Sequence, residues 1–388
     1  MERLSLADIF TFSNMNWAFY QCFSANSKKS SNRKYYDGML FNNLDLMEEV
    51  LNGTYKPSKT TDFRITERGK KRDISSPIMR DRIVQKIICQ KVFVPQLVSK
   101  FIYDSYSSVS GRGTTMARKR FENMLYSFLR EINFDIEHCG YILQVDIRKF
   151  FDNIDHQVLK SMLDKDLCVT DDLKHLIFYL VDESSAGDVG MNIGSEFPQI
   201  LAMYYVSKTD NYMKCVKSAK RYGRYADDIF SFEKDKETLQ DYLEAIKSQL
   251  ALLKLEVNQK KTHIVALRHG FTYLQTIYKI VKIDGDYKVL KMPTRAKIVR
   301  ERRRLKGHKR MYDKGKLQYK DIYNWYHSFI SELRTEYNAI DKTVKSLDAL
   351  FYELFKGCEL PKKETRKSLL SEKGAETYGN YYYHKIKC

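Results

Sequence analysis

Apolar positions along the 388-residue chain switch between helical and strand periods, and the switches predict its elements. Residues 1 to 55 read as helical and aromatic-rich, interrupted by a polar loop, SANSKKSSNRK. RITERGKKRDISSP alternates around Arg68-Gly69-Lys70 and predicts a hairpin with cations at its tip. In RDRIVQKIICQKVFV the stripe Ile83, Val84, Ile87 and Ile88 predicts a buried helix that Pro95 should end. YILQVDIRKFF reads as a strand with Leu143, Val145 and Ile147 on one face and Gln144 and Asp146 on the other. SEFPQILAMYYVSKTDNYMK predicts one helix with Pro198 in its first turn. RYGRYADDIFSF then predicts a hairpin tipped by Asp227 and Asp228. In DKETLQDYLEAIKSQLALL, Leu239, Leu243, Ile246, Leu250 and Leu253 share a helical face, and NQKKTHIVAL returns as a strand. From about residue 293 the chain is basic and helical (PTRAKIVRERRRLKGHKR) and closes on YGNYYYHKIKC. The order strand, helices, hairpin, helix, strand predicts an α+β fold with a split βαβ sheet, antiparallel at its centre and backed by helices.

Composition narrows the partners. No apolar run approaches the roughly 20 residues that span a bilayer. The first residues, MERLSLADIF, lack the basic-then-apolar order of a secretory signal, so a cytoplasmic protein without a membrane is expected. Cysteines Cys22, Cys89, Cys139, Cys168, Cys215, Cys358 and Cys388 are scattered without a CxxC pair, which argues against a zinc finger or a disulfide framework. A net charge of +18 with 28 tyrosines suits phosphates and stacked bases, although a basic soluble protein without such a ligand has the same composition.

The chemistry lies in three carboxylates. Asp146 falls near the end of a strand, and Asp227 and Asp228 fall at the tip of a hairpin expected in the same sheet. An isolated Asp-Asp is as well read as a solvated turn. Three carboxylates converging at one end of a sheet, however, repel one another unless a cation lies between them. Magnesium prefers such oxygens, completed by water and substrate phosphates. A pair of these ions activates an attacking hydroxyl and stabilises the leaving oxygen of an in-line displacement at phosphorus.

YADD between alternating flanks, preceded by VDIRKFFDNIDH, resembles the polymerase motif pair of bacterial reverse transcriptases. That lineage includes group II introns, retrons, diversity-generating retroelements and phage-defence enzymes. The resemblance implies a right-hand polymerase. Residues 1–55 would be an amino-terminal helical extension, 56–290 fingers and palm, 291–355 a basic helical thumb, and 356–388 a tyrosine-rich tail. It implies two Mg2+ ions, replaceable by Mn2+, held by Asp146, Ile147, Asp227 and Asp228. It also implies a nucleotide site of Lys70, Lys71, Arg72, Ile147, Phe151, Ile193 and Gly194. Phe151 would exclude a 2′-hydroxyl, and Lys261 would donate a proton to pyrophosphate. Arg80 and Arg82 are weaker candidates for the nucleotide, and SVSGRGTTMA resembles a template-contact loop. FTYLQTIY resembles the primer grip, with Gln275 where many members carry glycine.

NIGSEFPQILA departs from the group II pattern: Ile193 replaces glutamine, and Pro198-Gln199 replaces Ser-Pro. This form is similar to the diversity-generating and defence-associated branches. The implied activity is RNA-directed DNA synthesis from deoxynucleoside triphosphates, on an RNA template and with a structured noncoding RNA, in phage defence. The alternatives are a diversity-generating enzyme, a template-independent or protein-primed DNA polymerase, for which Tyr381, Tyr382 and Tyr383 offer hydroxyls, and a catalytically silent RNA-binding module.

Overall fold

The computed structural model describes residues 3–24, 30–67 and 70–360. Arg68, Gly69, the Lys70 side chain and the tail tyrosines Tyr381, Tyr382 and Tyr383 lie outside the described residues. The chain forms two compact units, Met1–Leu274 and Gln275–Cys388.

In the first unit, helices Leu6–Ile9, Phe12–Ser24, Ser30–Asp37 and Met39–Leu51 precede a hairpin. The loop expected over residues 24–34 is shorter than its composition implied, because Ser30–Lys34 is helical. Tyr35 and Tyr36 stack on Phe19 and Phe23 at 5.7 and 5.1 Å, and this packing overrides weak local propensity. The expected hairpin forms from β1 (Thr61–Glu67) and β2 (Lys70–Ser76), with Phe63 opposite Ile74.

The next helix, Met79–Ile88, buries Ile83, Val84, Ile87 and Ile88 completely. Pro95 does not end it. A π turn at Cys89–Phe93 intervenes, closed by the Val94 N–H on the Cys89 carbonyl, and helix resumes over Val94–Gln96. Pro95 therefore sits in the first turn of a new segment, where its missing N–H costs little. Likewise, one expected helix is two, Glu196–Tyr205 and Ser207–Cys215. The Ser207 hydroxyl donates to the Tyr204 carbonyl at 2.7 Å, and this local bond competes with the helical ladder at the break.

The central sheet contains β3 (Tyr141–Asp146), β4 (Tyr222–Tyr225), β5 (Asp228–Glu233) and β6 (His263–Ala266) in the order β4-β5-β3-β6. All its pairings are antiparallel. On one face Leu143, Val145 and Ile147 join the main core with Leu239, Ile246 and Leu250 of helix Lys236–Leu252. The opposite face is also covered at its far end. Ile142 and its cross-strand partner Phe232 are fully buried, and Phe121 of helix Thr114–Glu131 packs on Phe230 and Phe232 at 4.8 and 5.2 Å. The Gln144–Asp146 end of β3 lines a cleft. A short strand, β7 (Phe271–Tyr273), follows β6.

The second unit begins with a hairpin, β8 (Thr276–Ile283) and β9 (Asp286–Pro293), ahead of helices Arg295–Asp313, Tyr319–Glu336 and Asp341–Leu354. Its own core includes Leu305, Tyr326, Leu333 and Phe351, with Tyr326 stacked on Phe351 at 4.1 Å. Among the described residues no helix is long and apolar enough to cross a membrane, and the cysteines are free thiols.

Candidate active site

Strand register brings the aspartates together. Asp146 at the end of β3 lies directly opposite Asp228 at the start of β5. Tyr225 also pairs with Asp228, leaving Ala226 and Asp227 as the connection from β4 to β5. The Asp227 carbonyl accepts the Ile147 N–H at 3.0 Å, which fastens this turn to the end of β3. Ala226 holds φ +54, a left-handed conformation uncommon for a residue with a side chain.

Asp146 is 6% exposed, and both of its carboxylate oxygens are bonded. Asn258 donates its side-chain amide to Oδ1 at 2.8 Å, and Lys261 Nζ contacts Oδ2. The Asn258 backbone N–H also reaches the Asp146 carbonyl at 2.7 Å. Burial is the largest influence on Lys261 and works against its charge, but the bond to Asp146 and the charges of Asp146, Asp227 and Asp228 together outweigh it and hold the ammonium above its usual range. For Asp227 burial is the largest influence and raises its carboxyl, with repulsion from Asp146 adding to it. Lys261 and Arg72 pull in the opposite direction without prevailing. Beside these groups is a cleft of about 500 Å3, lined by Gln144, Asp146, Asp228, Lys261, His263 and Tyr273 among others.

The donor set suits a hard cation: three carboxylates and, for Ile147, only a backbone oxygen, since its hydrocarbon side chain has no donor atom. Among the described residues no three His, Cys, Asp or Glu side chains are already gathered as a metal cluster. Asp146 instead spends its oxygens on Lys261 and Asn258, so a cation would compete with Lys261 and draw further ligands from water and phosphate.

The other expected residues divide. Lys71 and Arg72 are exposed on β2, and their successive side chains leave opposite faces of the strand. Arg72 acts electrostatically on Asp227. Arg80 is engaged with Glu49 instead, and Arg82 donates to the Ser76 hydroxyl at 2.5 Å. Phe150 is 4% exposed, whereas Phe151 is half-buried in the turn Phe151–Asn153, edge-on to Phe150 at 5.3 Å. Ile193 is half-buried, and its carbonyl accepts the Ser75 N–H at 3.0 Å. Gly194 presses on the same strand so closely that an added Cβ would lie 2.1 Å from the Ser75 carbonyl oxygen. These two residues thus pack against the Ser75–Ser76 end of β2. In the glycine-containing loop, Arg112 folds back on the carbonyls of Ile102 and Ser105 at 2.9 and 2.8 Å. Gln275 has φ +65, the conformation that glycine adopts without cost, at the position where the resemblance expects glycine.

Sequence reasoning missed Asn258, which lies three positions before Lys261 and shares its target. It also missed Arg224 and Asp210, a fully buried ion pair beneath the aspartate turn at 2.6 Å. No periodicity marks either residue; the only hint is an arginine in a strand that is otherwise buried.

Comparison with known families matches residues 56–278, more than half of the chain, to the family described as Reverse transcriptase (RNA-dependent DNA polymerase). A search of curated proteins finds no match.

Proposed function

Because the chain belongs to the reverse transcriptase family and is therefore an RNA-directed DNA polymerase, we propose that it synthesises cDNA at Asp146, Asp227 and Asp228 on a structured RNA that it retains. The observation that carries this reading is the register pairing of Asp146 with Asp228, with Asp227 tied to Ile147 beside them. Those three carboxylates and the Ile147 carbonyl would hold two magnesium ions, which supply activation of the primer hydroxyl and charge stabilisation at the leaving oxygen.

The protein's own groups do the rest. Arg72, with Lys70, neutralises the triphosphate of the incoming nucleotide, and Lys71, leaving the face of β2 opposite Arg72, takes no part. Phe151 occupies the space that a 2′-hydroxyl would need. Lys261 leaves Asp146 and gives a proton from Nζ to the departing pyrophosphate. Ile193 and Gly194, packed on Ser75, keep β2 and with it Arg72 in place. In this reading the helical region Arg295–Leu354 acts as the thumb of a right hand whose palm is the four-stranded sheet.

A structured RNA partner is supported by the helix Arg295–Asp313. Arg303, Lys306 and Arg310 recur along it as exposed cations, and Arg304 lies 4.7 Å over the Trp325 ring. Cations tracking phosphates give salt-dependent affinity, while stacking on splayed bases gives selectivity. We assign antiphage defence as its biological use; the Ile193-Gly194 and Pro198-Gln199 form of its motif sets it apart from group II enzymes and is shared with the diversity-generating branch. Sequencing the nucleic acid that co-purifies at moderate salt, together with primer extension on an RNA template, tests the proposal. One dominant RNA and magnesium-dependent extension are expected; a random cellular RNA mixture would contradict the specific partner, and absent extension would contradict the polymerase.

A further inference from the structure

Beneath the aspartate turn, the Arg224 and Asp210 side chains are both 0% exposed. Arg224 belongs to β4 and Asp210 to helix Ser207–Cys215. The guanidinium uses each of its nitrogens. Nε reaches both Asp210 oxygens at 2.9 Å, and Nη2 reaches Asp210 Oδ2 at 2.6 Å and the Met203 carbonyl at 3.1 Å. Nη1 donates to the Ala226 carbonyl at 3.0 Å. Asp210 is held in turn by the Tyr222 hydroxyl at 2.7 Å. The Arg224 backbone is pinned as well, its N–H to the Asp104 carbonyl at 2.9 Å and its carbonyl to the Tyr106 N–H at 3.1 Å.

A buried ion pair is weak evidence of stabilisation, since apolar residues of similar volume often serve the fold equally well. What an apolar pair does not provide is the bond from Nη1 to Ala226. That carbonyl belongs to the peptide joining Ala226 to Asp227, and Ala226 is held left-handed without glycine's freedom. Lysine cannot replace this arrangement, because its single ammonium lacks the planar fork that satisfies Asp210 and Ala226 at once.

We propose that Arg224, locked by Asp210, is a positioning residue for the polymerase reaction: it holds the Ala226–Asp227 peptide so that Asp227 stays aligned with Asp146 and Asp228. This rests on the reading of the three aspartates as the reacting site. Arg224 touches neither substrate nor cation; it acts through the turn.

The test uses the full-length protein carrying Arg224→Lys, alone and combined with Ala226→Gly. Thermal melting, Mn2+ binding by electron paramagnetic resonance, and kcat and KM for nucleotide incorporation are measured. A turn released from its anchor misplaces Asp227, so Arg224→Lys should lower kcat by about 10- to 100-fold with KM nearly unchanged. It should weaken Mn2+ binding as well. Ala226→Gly should restore part of both, because glycine takes the left-handed conformation unaided. Wild-type kcat and Mn2+ affinity in Arg224→Lys would overturn the proposal, as would losses that Ala226→Gly leaves untouched. Should Arg224→Lys fail to fold, the apolar pair Arg224→Met with Asp210→Leu replaces it. That pair should fold and show the same kcat loss; full activity in it would overturn the proposal. Wild-type protein that binds Mn2+ but incorporates no nucleotide would instead fault the polymerase reading, leaving the Mn2+ comparison to decide the role of Arg224.

Discussion

Lys261 and Asp146 form an ion pair in which the lysine holds the one Asp146 oxygen that Asn258 does not. The same ammonium is the proposed proton donor to pyrophosphate. Cation binding at Asp146 would therefore release the acid that the later step needs, and the two events are coupled through a single carboxylate oxygen.

Lys261→Met removes the competitor and the acid together. Cation affinity, measured by Mn2+ titration, should rise, while single-turnover nucleotide incorporation should fall by about 100-fold, as for a lost general acid. Unchanged affinity would show that Lys261 does not compete for the site.

Asp227 gives a pH dependence with a defined sign. Its folded carboxyl is raised above the ordinary 3.8, chiefly by burial. The protonated form is thus favoured on folding; that stabilisation is complete below the unfolded value and is lost as pH rises through the folded one. In chelator, Asp227→Asn should melt above wild type at neutral pH, and the gap should close on acidification. A gap that widens toward acid would contradict the assignment.

Gly194→Ala places a methyl group 2.1 Å from a backbone oxygen of β2, where no flexible side chain can yield. The expected cost is about 1–3 kcal/mol in chemical denaturation, as for other overpacked sites. Because the strand carrying Arg72 must shift, KM for the nucleotide should rise as well. Unaltered stability and KM would show that residues 193–194 do not brace the hairpin.

Phe151→Ala should raise the ratio of ribo- to deoxynucleotide incorporation, read with matched triphosphates on one template. A constant ratio with lower overall activity would make Phe151 a packing residue, as Phe150 is.

Much of this was legible in the sequence, for a physical reason. Alternation in residues 64–77 pointed to the hairpin that the structure forms over Thr61–Ser76, and the helical stripe Leu239, Leu243, Ile246, Leu250 and Leu253 is buried as its spacing required. The convergence of Asp146 with Asp228 followed from placing a strand end beside a hairpin tip. What escaped depends on contacts distant in sequence. Asn258 reaches Asp146 across 112 positions. Asp210 and Arg224 are ordinary surface residue types until the fold buries them. Ser30–Lys34 reads as a loop until Tyr35 and Tyr36 find the aromatic rings of the neighbouring helix. One miss was avoidable: Asp284-Gly285, flanked by alternating residues, is a strong short-range hairpin signal, and both residues hold positive φ between β8 and β9.

Single-turnover incorporation on an RNA template with magnesium tests most directly whether Asp146, Asp227 and Asp228 act as one reacting site. Asp227→Asn and Asp228→Asn keep the size of each side chain and remove one charge. Both variants should melt at or above the wild-type temperature in chelator, yet lose incorporation by about 100- to 1,000-fold, as expected when a group stabilising the transition state is removed. Incorporation at the wild-type rate by either folded variant would contradict the assignment.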